Sequence, residues 1–336
     1  MARDNTAVLL KSRPTGWVTE DNFEIVTRPA GEPGEGEALV RNLYMSVDPY
    51  MRGRMRAGKS YAAPWEVGAV CQAGMVGQVV ASNASNVAEG DYVSGMLGWE
   101  QYSVAPAKGL MKVNPDAAPL SYYLGIMGMP GMTAWVGLLD IGQPKEGETV
   151  YVSAASGAVG QVVGQIAKMK GCRVVGSAGE DDKVAYIRDE LGFDAAFNYK
   201  TADSLTGALR ETCPDGIDVY FENVGGEMLD AVLATINPFG RIVACGMISQ
   251  YNLEQGEGVK NLMVIVGNRV KFQGFIVSDH FNRMPEFVRE MGGWLAEGKI
   301  KYRESITKGI ENAPKAFIGM LKGENFGKAV VQIADD

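Results

Sequence analysis

Histidine is almost missing from this 336-residue chain; His280 is the single one. A zinc site built from closely spaced Cys and His is therefore not expected. A Ser-His-Asp arrangement would rest on that one residue, which we read as structural. Cysteine is scarce and dispersed. Cys71, Cys172, Cys213 and Cys245 form no C-x-x-C pair and suggest no disulfide framework, and four separated thiols fit a reducing cytoplasm. Positive charge is also in deficit. Lys and Arg number 32 against 40 Asp and Glu, a net charge of −8, which argues against a nucleic-acid surface. One local basic cluster stands out, "MRGRMRAGK" (Met51 to Lys59).

Long apolar runs are lacking with one exception. Tyr122 to Leu139, "YYLGIMGMPGMTAWVGLL", is free of charge for 18 residues, but it contains Pro130 and four glycines. A buried segment between domains is the better reading than a membrane span. The opening "MARDNTAVLLKSRPTGW" has no continuous apolar core and no small-residue cleavage site, so no secretory leader is expected there.

Two textures follow one another. Up to about residue 125, short β-rich runs such as "EALVRNLYMSV" and "GMVGQVVAS" are broken by glycine and proline, the pattern of an antiparallel barrel or sandwich. From Glu148 the pattern becomes strand, helix, strand. "TVYVSA", "CRVVGSAG", "AAFNY", "IDVYFENVGG", "GRIVACG" and "RVKFQGFIV" read as six buried strands with helical stretches between most of them. That implies a mainly parallel, doubly wound α/β sheet. The tail from about Lys308 ends in the strand-like "GKAVVQIAD", suited to rejoin the first domain.

The stretch "VSAASGAVG" (Val152 to Gly160) lies directly after the first of these strands. In a G-x-G-x-x-G turn the first glycine makes the tight bend, the second admits backbone to a pyrophosphate, and the third allows close helix–strand packing. Ala155, Gly157 and Gly160 occupy those places, with Ala158 and Val159 between the last two. Alanine in the first place is tolerable if the turn needs no positive φ there. The helix that follows, "QVVGQIAKMK", carries Val162, Val163, Ile166, Ala167 and Met169 at helical spacing. Its N-terminus presents free amides to the pyrophosphate; a glycine serving only packing is the alternative.

The choice of dinucleotide falls at the end of the second strand, about 20 residues past the turn, where Asp or Glu accepts from the ribose hydroxyls. Ser177 stands there, and Lys183 follows; this favours NADPH over NADH. Glu180, Asp181 and Asp182 are a counter-signal unless they only cap a helix, and Lys183 has a solvated surface lysine as its alternative.

Taken in order, "YMSVDPYMRGRM", "GMPGMTAW", "AASGAVGQVVGQIAKMKGCRVVGSAGEDDKVAYI", "GFDAAFNYK", "YFENVGG", "CGMISQYN", "QGFIVSD" and "ENFGKAVV" resemble the zinc-free branch of the medium-chain dehydrogenase/reductase superfamily. Within it the chain is most similar to the prostaglandin reductase, alkenal double-bond reductase and curcumin reductase group. The resemblance implies a GroES-like β-barrel domain over residues 1–125, completed by 308–336. It implies a Rossmann NADPH-binding domain over 126–307, a cleft where the nicotinamide meets substrate, and a homodimer. It places Gly157, Ala158, Val159 and Gly160 at the pyrophosphate, and Lys183 and Tyr199 near the 2′-phosphoadenosine. Asn223 would line the groove, and Cys245, Gly246, Met247, Ile248, Ser249, Gln250 and Tyr251 would wrap the cofactor. Phe275, Ile276 and Val277 would flank the nicotinamide, and Asn325 would also reach the cofactor. Tyr199 as a core aromatic and Asn223 as a turn cap are the plainer alternatives.

The reaction implied is NADPH-dependent reduction of the C=C bond of an α,β-unsaturated ketone or aldehyde. Hydride arriving at the β-carbon leaves an enolate, whose oxygen suits a hydroxyl donor. Tyr251 is the first candidate for that donor and Tyr50 the second; a groove wall is the structural alternative for Tyr251. Arg52, Arg54 and Arg56 either steer an acidic ligand or are solvated surface arginines. Met127, Met129, Met132 and Trp135 either wall an apolar pocket or pack between domains. A quinone or carbonyl reductase on the same scaffold, and an NADPH-binding protein without turnover, are the rival functions.

Overall fold

The computed structural model describes residues 3–335. The chain divides into two compact units, one formed by Met1–Gly128 with Glu304–Asp336 and the other by Met129–Arg303. The first unit opens with strands β1 (Asp4–Leu10), β2 (Phe23–Pro29), β3 (Glu37–Ser46), β4 (Gln72–Ser82), β5 (Tyr92–Gly98), β6 (Tyr102–Pro106) and β7 (Met111–Lys112). The second holds β8 (Thr149–Val152), β9 (Arg173–Ala178), β10 (Ala195–Asn198), β11 (Ile217–Glu222), β12 (Ile236–Ala244) and β13 (Lys271–Gly274). The chain then returns to the first unit with β14 (Glu304–Lys308) and β15 (Lys328–Gln332).

In the first unit a seven-stranded sheet runs β14-β15-β3-β4-β5-β7, with β6 on β3, and β1 pairs with β2. Register shifts at Leu39/Val40 and Asn42/Tyr44 bend the β3–β4 pair. Gly77 lies against that bend, where a Cβ would run into the Arg41 carbonyl, so glycine is required. Trp99 anchors the core: Phe23 stacks on it at 5.8 Å, and Trp65 and Phe317 meet it edge-on at 5.5 and 6.0 Å. Phe317 comes from the returning tail, in the helix Ala313–Leu321. The return begins at Glu304, earlier than the expected position near 308, because β14 already pairs with β15.

Two arginines of the basic cluster follow neither expectation. Arg52 is 1% exposed and Arg54 8%. Arg52 donates to the Gly16 carbonyl, and Arg54 donates to the Ala63 carbonyl and to Gln72 Oε1 while lying over the Trp65 ring. A guanidinium has five donors to place once buried, and here they fasten loops. Only Arg56 is exposed.

In the second unit six parallel strands lie in the order β10-β9-β8-β11-β12-β13, as the six sequence runs imply. All four residues of β8 are buried, as a central parallel strand requires. The helix Gly160–Met169 puts Val162, Val163, Ile166 and Ala167 at zero exposure, while Met169 reaches solvent. Met132 and Trp135 belong to this unit's core; Trp135 donates to Glu290 Oε2 at 2.6 Å. The charge-free stretch is broken by a turn of 3-10 helix at Leu120–Leu124 and an α-helix at Met129–Val136. No helix among the described residues is long and apolar enough to cross a membrane.

One buried ion pair within the first unit ties the returning tail to the segment after β3. Lys328, 1% exposed, donates from Nζ to the Val47 carbonyl at 2.7 Å, the Ala329 carbonyl at 2.9 Å and Asp48 Oδ1 at 3.1 Å. Asp48 also accepts from the Ser46 hydroxyl. Replacing Lys328 by Met strands the Asp48 carboxylate, and urea denaturation should report a loss of about 3–5 kcal/mol. Adding Asp48→Asn should recover part of it. A loss below about 1 kcal/mol, the range of exposed pairs, would refute the buried-pair account.

Candidate functional site

In the second unit the strand order reverses between β8 and β11, and ligands of doubly wound sheets sit at the carboxyl ends flanking such a switch. The turn after β8 is built from small residues. Its left-handed residue is Ala154 (φ 49°), one place before the expected first-glycine position. Ala155 has no such strain; its N–H donates to the Ser177 carbonyl at 2.9 Å, and a Cβ on Gly176 would come within 2.7 Å of the Ala155 Cβ. Alanine is thus both tolerated and size-limited there.

Gly157 and Gly160 differ in their surroundings. A Cβ on Gly160 would lie 2.5 Å from the Ala154 carbonyl oxygen and 2.8 Å from Ala155 Cα, so Gly160 serves close approach of helix to turn. At Gly157 the only neighbour is the Ala154 oxygen at 3.1 Å. Ala158 and Val159 are half-buried, and the helix Gly160–Met169 starts directly behind them, so the positive end of its dipole lies at the turn. The cradle fits a pyrophosphate.

At the end of the second strand one expectation is corrected. Ser177 does not face a ligand: it is at zero exposure, and its hydroxyl shares a 2.7 Å hydrogen bond with Tyr151 of β8. Strand alternation turns its side chain into the core, where the buried Tyr151 phenol needs a partner. The strand end proper is Ala178 to Gly179. A Cβ on Gly179 would lie 2.9 Å from both the Tyr199 hydroxyl and Lys200 Cε. Tyr199 is 40% exposed rather than a core aromatic, and Lys183 is 7% exposed rather than a solvated lysine. Burial pushes the Lys183 ammonium down, against the pull of Asp182 and Glu180. Lys183 and the Tyr199 phenol at one strand end match the donor set a 2′-phosphate needs.

The carboxyl ends of β8, β11 and β12 are laced together. Asn223 donates from its backbone to the Ser153 hydroxyl at 3.0 Å and from Nδ2 to the Ser153 carbonyl at 2.8 Å; its own carbonyl accepts from Ile248. Ser249 donates to the Val224 carbonyl from both its amide and its hydroxyl. Cys245, Gly246, Met247, Ile248 and Gln250 are half-buried along this loop, with Ser249 exposed. Tyr251 folds back so that its phenol oxygen accepts from the Met247 amide at 3.2 Å; burial raises its pKa. Phe275, Ile276 and Val277, half-buried, follow β13, and a Cβ on Gly137 would meet the Phe275 ring.

Two expected residues lie in the first unit. The Tyr50 phenol is hydrogen-bonded to the Arg54 guanidinium, and burial followed by Asp48 raises its pKa. Asn325 commits its amide nitrogen to the Gly327 carbonyl at 2.7 Å, within its own loop.

Sequence reasoning passed over Ser153, Glu222 and Lys200. Glu222 left a signal: a charged residue closing the apolar run "IDVYFE" has to be paired or neutral once buried. It is at zero exposure, and its Oε1 accepts from Tyr220 Oη, Val224 N and Gly225 N at 2.7, 2.6 and 2.9 Å.

The region 6–113 matches a family model described as the N-terminal domain of oxidoreductases, and 158–292 one described as zinc-binding dehydrogenase. The donors here do not fit zinc. Burial pushes the thiols of Cys71 and Cys245 up to about 12 and those of Cys172 and Cys213 to about 11. Among the described residues no three His, Cys, Asp or Glu side chains gather as a ligand set. The chain is 48% identical to a 2-alkenal reductase (NADP(+)-dependent) of Nicotiana tabacum over 98% of both chains. It is 47% identical to an NADPH-dependent curcumin reductase of Escherichia coli over 99% of this chain and 98% of that one. The crystal structure of CurA in complex with NADPH from Vibrio vulnificus superposes with a TM-score of 0.94 at 47% identity, covering 98% of this chain and all of that one. The chain belongs to the medium-chain dehydrogenase/reductase superfamily, in the group of prostaglandin, alkenal and curcumin reductases.

Proposed function

We propose that the chain is an NADPH-dependent reductase of the C=C bond in α,β-unsaturated ketones and aldehydes. The observation that carries this reading is the match over 98% of both chains to a 2-alkenal reductase. The cradle at Gly157 and the lysines beyond β9 support it. Bound NADPH supplies hydride to the β-carbon of the substrate. Gly157 to Gly160 hold the pyrophosphate with backbone amides, and Lys183 and Tyr199 hold the 2′-phosphate. Asn223 and the loop Cys245 to Tyr251 set the groove, Phe275 to Val277 exclude water near the nicotinamide, and Asn325 reaches the cofactor. The enolate left on the substrate takes a hydrogen bond from a neutral phenol. Tyr251 suits that role, since its oxygen already accepts from Met247, its own O–H is the donor, and burial keeps the proton on it. Tyr50 is the second candidate.

We propose further that two copies pair along β13, the edge of the parallel sheet. Beside that edge Phe239, Met263 and Val266 are 65%, 78% and 71% exposed, and Arg269 lies over the Phe239 ring at 4.5 Å. An unpaired strand edge with apolar neighbours calls for a cover. Four free cysteines suit a cytoplasmic protein.

Purified protein given NADPH and a medium-chain 2-alkenal should yield the saturated aldehyde; an allylic alcohol would instead establish carbonyl reduction. Tyr251→Phe should lower kcat by about a hundredfold, the usual worth of a positioned proton donor, with the NADPH KM little changed. An unchanged kcat would pass the role to Tyr50 or remove it. In sedimentation the wild type should run as a dimer and Val266→Asp as a folded monomer; a dimeric variant would reject the β13 interface.

A further inference from the structure

The acidic triplet Glu180, Asp181 and Asp182 directly follows the second strand of the nucleotide-binding sheet. A carboxylate there accepts from the ribose hydroxyls of NADH and repels a 2′-phosphate. Yet this is the end at which two lysines gather. Each acid has a partner. Asp182 Oδ1 accepts from the Lys183 amide at 2.7 Å, and Asp181 Oδ1 accepts from Asn198 Nδ2 at 2.7 Å. Glu180 Oε1 meets Lys200 Nζ at 2.7 Å.

We infer that Lys200 is a specificity-determining residue: by pairing with Glu180 it cancels the carboxylate that would select NADH, and so leaves the site open to a 2′-phosphate. This rests on the NADPH reading above. Three features place the pair where a nucleotide would be judged. The aliphatic stem of Lys200 and the Tyr199 hydroxyl both close over Gly179, where a Cβ would lie 2.9 Å from each. Asn198 sets the start of Lys200, since its Oδ1 accepts the Lys200 amide at 3.0 Å while its Nδ2 holds Asp181. The Glu180 and Lys200 side chains remain 55% and 46% exposed, within reach of a ligand.

An exposed pair of this kind contributes little to stability. Its consequence is the sign of charge at contact range, well inside the roughly 8–10 Å over which salt screens. Lys183 alone faces Glu180 and Asp182 together, so without Lys200 the local balance turns acidic. Lys200 is not assigned to the phosphate itself; its role is exerted through Glu180.

The test separates turnover from binding. Calorimetry with 2′,5′-ADP and with 5′-ADP reads the adenosine end alone, and kcat/KM with NADPH and NADH reads the loaded enzyme. Lys200→Met should weaken 2′,5′-ADP by about tenfold, the size of a contact-range charge, and narrow the NADPH preference by a similar factor. The double variant Glu180→Gln/Lys200→Met should return within about threefold of wild type, because the charge to be masked is gone. A Lys200→Met protein that keeps its 2′,5′-ADP affinity overturns the inference. A double variant as weak as the single one also overturns it, since Lys200 would then bind the phosphate directly. Wild-type protein that prefers 5′-ADP and NADH sinks the NADPH reading itself, and the inference with it.

Discussion

The carboxyl group of Glu222, shut away from water, decides where the loops above the parallel sheet can run. Its side-chain oxygen gathers the Tyr220 hydroxyl and the amides of Val224 and Gly225, while its backbone carbonyl accepts from Cys245 and Gly246. One residue therefore fixes the end of β11 and the start of the loop after β12. The turn it closes continues through Gly225 (φ 77°) and Gly226 (φ 55°), angles that only glycine reaches without strain. Burial pushes the Glu222 carboxyl up, and its Oε2 has no hydrogen-bond partner among the described residues. With Ser153 and Asn223 joined to the same network, the groove wall is set before any ligand arrives.

Much of this is legible in the sequence. The six strands of the second unit show as β-branched runs because a parallel sheet buried on both faces leaves no polar alternation to obscure them. The helix after the turn shows as a stripe, and four of its five stripe residues are fully buried. Spacing misleads where it stands in for geometry. Ser177 lies at the right distance from the glycine turn, but one residue along a strand reverses the face, and the Tyr151 phenol claims it. Arg52 and Arg54 look solvated because charge predicts exposure only when no carbonyl waits inside; two do here, those of Gly16 and Ala63. Lys200 escapes notice for a related reason: it acts through Glu180, 20 residues away in sequence, a relation that spacing does not encode.

The two candidate phenols are held differently. The oxygen of Tyr50 is hydrogen-bonded to a guanidinium that also fastens the Ala63 carbonyl and Gln72. That arrangement suits a rigid wall. Tyr251 accepts from an amide of its own loop, so its position follows the loop that would wrap the cofactor. The same fold thus holds one aromatic by a guanidinium in the first unit and the other by a backbone amide in the second.

The donor set also bears on which acceptor can be reduced. A localised alkoxide, formed by adding hydride to a simple ketone, concentrates a full charge on one oxygen and calls for a strong electrophile beside it. The thiols of Cys71, Cys172, Cys213 and Cys245 are all pushed up by burial, and the ligand geometry for a Lewis-acid metal is not assembled among the described residues. The donors proposed for the substrate oxygen are neutral phenols. Those donors are matched to a charge already spread over oxygen and carbon, as in an enolate, where a modest hydrogen bond stabilises the transition state enough. In the reaction proposed, conjugation in the substrate would do part of the work that a metal does in zinc-dependent dehydrogenases.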